Sequence, residues 1–150
     1  MVRARIAKAL QDPSNKGHSV LQTIFFPDSP TAQAAGAAFV ARLGERTKDL
    51  DRASGPAVAG AQMAAFREWD KPSGERFAYL RTIRHPTLVV NGVHDEMIPV
   101  RNSYWLAENL PNAVMLIYPD AGHASLFQNH ESFARHANAF LSVMSASAAY

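Results

Sequence analysis

Two short apolar runs, set one supersecondary unit apart, constrain this chain more than any other feature. Leu88-Val89-Val90 stands between Pro86 and Asn91-Gly92, and Ala113 to Tyr118 (AVMLIY) follows Pro111-Asn112. Both runs are continuous rather than alternating, the pattern of a strand covered on both faces of a parallel sheet. Asn102 to Leu110 between them reads as a helix, so Thr87 to Tyr118 spans about 32 residues, the size of a right-handed β-α-β crossover. A last helix over Glu131–Met144, with Phe133, Ala137, Phe140, Leu141 and Met144 on one face, extends this to a β-α-β-α unit. The fold class expected is therefore α/β with parallel strands, and the tail SASAAY is expected to fray.

Upstream the texture changes. Residues 1–84 are rich in Ala and hold no alternating or β-branched stretch long enough for a strand, so a helical region 1–84 precedes the α/β segment 85–150. Ser29-Pro30 reads as a helix start, a hydroxyl cap followed by proline at the first helical position. A second helix covers Val58–Trp69, with Val58, Ala61, Gln62, Ala65 and Trp69 on one face, and ends at Pro72. Phe77, Leu80 and Ile83 mark a short third helix, which His85-Pro86 stops because proline restricts the residue before it.

Composition removes several classes of function. A chain of 150 residues with 47% hydrophobic and 19% charged residues suits a single folded core rather than disorder. No apolar run approaches the roughly 18 residues of a membrane span, and the first residues lack the apolar stretch of a secretory signal, so no membrane association is expected and the cytoplasm is the expected compartment. With no cysteine, disulfide scaffolds, thiolate metal sites and cysteine nucleophiles are excluded. A net charge of +2 is too weak a field for nucleic-acid binding. No Gly-rich phosphate loop occurs, so no cofactor is expected.

In an open parallel sheet, functional groups collect on loops leaving the carboxyl ends of strands. The first such loop, NGVHDEMIP, carries Asp95, and the second, YPDAGHASLFQ, carries His123. A carboxylate that accepts the Nδ1–H of an imidazole fixes its tautomer and leaves Nε2 to take a proton from a nucleophile. Taken alone, Asp95 could equally hold a turn and His123 could be a hydrogen-bonded structural histidine. His94, Asp95 and Glu96 with His123 do not have metal-ligand spacing, so no metal is expected. Asp120 is a rival acid, read as shaping the turn into Gly122. Phe25, Phe26, Met63, Phe66 and Trp69 could line an acyl pocket, but at helical spacing such residues read first as core.

The segment NGVHDEMIP, followed 28 positions after Asp95 by the histidine of YPDAGH, resembles the C-terminal part of the α/β-hydrolase fold superfamily. The linking segment NSYWLAENLPNA and the ending LFQNHESFARHANAFL are similar to that family's closing helices, and the helical stretch before Ile83, including LQTIFFPDSP and AQMAAFREWD, is similar to its lid. The resemblance implies Asp95 as triad acid, His123 as triad base, and a small ester or related compound as substrate. Ala124 departs from the glycine that often follows the histidine in relatives.

The larger departure is the nucleophile. The family presents its serine in G-x-S-x-G, on a strained turn between strand and helix, and the sequence contains no such motif. Gly17-His18-Ser19-Val20-Leu21 comes nearest, but it lacks the second glycine and follows the polar LQDPSNK, so Ser19 reads as a cap or loop hydroxyl. The expectation is a partial α/β-hydrolase fold, a lid region plus a β-α-β-α unit, without the nucleophile half and inactive alone. Its exposed sheet edge is expected to reflect a truncated fragment, or to be satisfied by a partner chain, as in a split hydrolase, or by self-association. The alternative is a non-catalytic ligand-binding or oligomerisation module.

Overall fold

The structure, a computed structural model, describes residues 8–9, 11–13, 19–52, 54–71 and 74–147. Strand β1 (Thr87–Gly92) begins one residue after Pro86, and β2 (Ala113–Tyr118) follows the Pro111-Asn112 turn. They pair in parallel, from Thr87 opposite Ala113 to Gly92 opposite Tyr118. The crossover helix, numbered α4 (Arg101–Asn109) in chain order, packs on both strands. Because the register ends with Gly92 beside Tyr118, both following loops leave the same edge side by side. Leu80, Val89 and Leu110 form the core beneath them, with Ile83, Leu106 and Met115 packed around it.

Coverage of the sheet differs from the expected burial on both faces. Val89 is buried, whereas Leu88 and Val90 are half-buried and Val114 is 53% exposed. Sequence pattern reports which side chains need cover; Leu88 and Val114 line an open groove shared with His136, Phe140 and Val143 of the last helix.

Helices precede the sheet. Helices α1 (Ser19–Phe25) and α2 (Pro30–Glu45) form a hairpin, and the expected Ser29-Pro30 start is present: Ser29 Oγ accepts the N–H of Ala32. Phe26, Ala32 and Phe39 from this hairpin enclose Ala124 in a second buried cluster, which ties the hairpin to the loop after β2. Helix α3 (Pro56–Trp69) starts two residues before the expected Val58, ends at Trp69 as expected and exposes every residue, and Pro72 lies outside the described residues. The expected third helix is a 3₁₀ turn, Ala78–Thr82, entered through Phe77 at φ 63°. The chain closes with the short α5 (Ser125–Gln128) and the long α6 (His130–Ser147). Helix α6 runs three residues into the tail expected to fray, and residues 148–150 lie outside the described residues.

Candidate active site

Asp95 sits on the loop leaving β1 and is almost wholly buried, with a side chain 3% exposed. Its Oδ1 accepts the backbone N–H groups of Met97 (2.9 Å) and Ile98 (2.8 Å), which folds the loop around the carboxylate. That leaves Oδ2 for His123 Nδ1, 3.0 Å away. A carboxylate accepts and does not donate, so a proton lies on Nδ1, and in the neutral ring the lone pair is on Nε2. The imidazole is 31% exposed, so a buried carboxylate holds a ring that other molecules can reach.

The two loops interlock. His94 N–H donates to Ala121 O (2.9 Å) and Val93 N–H to Tyr118 O (3.0 Å). Gly92 makes this possible, because a Cβ there would stand 2.2 Å from Ala121 O. Beside Gly92, Asn91 is buried: its Nδ2 donates to Ser103 Oγ (3.0 Å) and Ile98 O (3.2 Å), and its Oδ1 accepts the Gly92 N–H (2.7 Å). Asn91 therefore fastens both ends of the Asp95 loop to helix α4, a function that its place at the end of the apolar run had not suggested. A polar residue where the strand pattern calls for an apolar one was the available signal.

A groove of roughly 530 Å³ runs along β1 to this pair, with Val90, Ile98, Ser125 and Leu126 among its walls. The Phe25 ring lies 5.3 Å from the imidazole, so Phe25 borders the site, whereas Phe26 is fully buried core. Met63, Phe66 and Trp69, 50%, 61% and 78% exposed, belong to neither buried cluster nor to the groove at Asp95 and His123; Trp69 instead borders a separate cavity with Arg76 and Phe77. Asp120 does not approach His123; it accepts a hydrogen bond from Ser29. Gly17 and His18 lie outside the described residues, and Ser19 is the first residue of helix α1. His94 is exposed, and no group of metal-ligating side chains occurs among the described residues. Nor is any described helix long and apolar enough to cross a membrane.

Residues 56–148 match the family model described as TAP-like protein. An α/β hydrolase fold protein from Chitinophaga pinensis is 37% identical and aligns with a TM-score of 0.79, over 91% of this chain and 48% of its own. The 2-hydroxy-6-oxo-6-(2'-aminophenyl)hexa-2,4-dienoic acid hydrolase of Metapseudomonas resinovorans is 31% identical over 81 residues, 52% of this chain and 28% of that protein. A pimeloyl-[acyl-carrier protein] methyl ester esterase of Aromatoleum aromaticum is 30% identical over 76 residues, 51% of this chain and 28% of that protein. The chain thus spans about half of the solved relative and less than a third of these curated ones.

Proposed function

Because this chain belongs to the TAP-like family of α/β hydrolases, we propose that it supplies the acid and base of a serine-hydrolase triad acting on a small carboxylic ester or related acyl compound. The observation that carries this reading is the 3.0 Å contact between buried Asp95 and half-open His123. His123 Nε2 takes the proton of a serine hydroxyl as its oxygen attacks the acyl carbon, and gives that proton to the leaving group. Water, deprotonated in the same way, then releases the acid from the acyl-enzyme. Asp95 holds the tautomer and stabilises the imidazolium throughout. The names of the two curated relatives, a dienoic acid hydrolase and a methyl ester esterase, support the acyl class.

The serine comes from outside these 150 residues, from a further part of the polypeptide or from another chain, since G-x-S-x-G is absent and its nearest approach, at Ser19, lacks the second glycine. Residues 1–84 serve as the lid over residues 85–150. The bare apolar side of α3 favours a second reading, a surface for assembly. A fluorophosphonate, which marks activated serines, followed by intact mass is the test. The 150-residue chain is expected to form no adduct; a stoichiometric adduct that disappears in His123→Ala would overturn the external nucleophile.

A further inference from the structure

Asp120 has a role that neither a spare acid nor a simple turn residue would have. Its Oδ2 accepts a 2.8 Å hydrogen bond from Ser29 Oγ, while Ser29 Oγ accepts the Ala32 N–H (3.1 Å) as the cap of helix α2. One hydroxyl uses its donor and acceptor capacity together and joins the start of a 16-residue helix to the loop carrying His123. The carboxylate also stands by the positive end of the α2 dipole. Further along the loop, the Ala124 N–H donates to Phe25 O (3.1 Å), and Gly122 is so close that a Cβ would lie 2.7 Å from the same oxygen. Between these fastenings the Phe25 ring packs on His123. Gln128 Nε2 donates to the Asp120 carbonyl from the far side of the loop.

We propose that Ser29 and Asp120 are positioning residues for the base: the Ser29–Asp120 latch ties the His123 loop to the α1–α2 hairpin and holds the imidazole against Asp95. The proposal rests on His123 being the base, yet the latch is measurable without turnover. Asp95 fixes the imidazole only while the loop presents it, and the loop is held from the hairpin at Asp120 and at Ala124. Release of the first fastening leaves the Ala124–Phe25 peptide hydrogen bond as the loop's remaining polar tie to the hairpin among the described contacts.

The test is the state of His123 in the 150-residue chain, read by the Nδ1–H resonance in nitrogen-edited NMR and by its diethyl pyrocarbonate modification rate in mass-mapped peptides. Asp120→Ala is expected to broaden the Nδ1–H signal and raise the modification rate about fivefold, the population shift that loss of one hydrogen bond brings. Asp120→Asn keeps an acceptor for Ser29 and is expected to restore both readouts, which a merely charge-related role would not allow. If Asp120→Ala does not fold, Ser29→Gly decides, because glycine caps helices nearly as well as serine but has no hydroxyl to donate. A folded Asp120→Ala or Ser29→Gly protein with unchanged His123 signal and rate overturns the latch. Fluorophosphonate labelling of an assembled enzyme tests the base role separately, so the two ideas fail independently.

Discussion

Gly92 and Ala121 meet so closely that the glycine's missing Cβ would lie 2.2 Å from the alanine carbonyl oxygen. Since that carbonyl also accepts the His94 N–H, neither loop can retreat without giving up the interlock that carries Asp95 to His123. Gly92→Ala is expected to destabilise the chain by about 1–3 kcal/mol, as overpacking against backbone does. Denaturant unfolding measures the loss, and the His123 Nδ1–H resonance should weaken with it.

Asn91 and Ser103 form a buried polar pair whose members satisfy each other. Asn91→Ala strips the Ile98 carbonyl and the Gly92 N–H of their side-chain partners as well, at an expected cost of about 1–3 kcal/mol. Ser103→Ala costs less, because Asn91 keeps the other two bonds. A double-mutant cycle by urea unfolding should give a coupling of at least about 0.5 kcal/mol; additive losses would show that the pair does not act as a unit.

The strands and the meeting of Asp95 with His123 were legible because each depends on local pattern plus one rule. Continuous apolar runs bounded by Pro, Asn and Gly marked β1 and β2, and parallel register placed both following loops at one edge. A polar residue in the apolar run marked Asn91, but its partners, Ile98 O and Ser103 Oγ, were illegible because they come to it only after the loop turns back. The Ser29–Asp120 contact joins residues 91 positions apart, beyond any periodicity. Amphipathic spacing found helix α3 but could not reveal that Phe66 and Trp69 would stand uncovered, since a pattern names the apolar face and not its partner.

That bareness has a measurable consequence. Phe66→Ser and Trp69→Ser are expected to leave the unfolding free energy of this chain within about 0.5 kcal/mol, as for surface positions generally. Phe26→Ala, in the cluster around Ala124, should cost about 3–5 kcal/mol. Equilibrium unfolding of the three variants gives the contrast; a loss above about 1 kcal/mol for Trp69→Ser would mean that α3 packs on some part of the same chain.

Asp95→Asn separates orientation from mere bonding. The backbone N–H groups of Met97 and Ile98 both point at Oδ1, and only an oxygen can accept them, so the carboxamide oxygen is pinned there and its NH₂ must face His123. Nδ1 then has to accept, which moves the ring proton to Nε2 and removes the lone pair a nucleophile needs. Nitrogen-15 shifts of His123 should therefore switch from the Nδ1–H to the Nε2–H tautomer while the melting temperature changes little. In an enzyme assembled with a nucleophile-bearing part, the same substitution should lower kcat by about 10⁴, the loss seen when a triad carboxylate becomes an amide. An unchanged tautomer with full activity would place the orienting acid elsewhere.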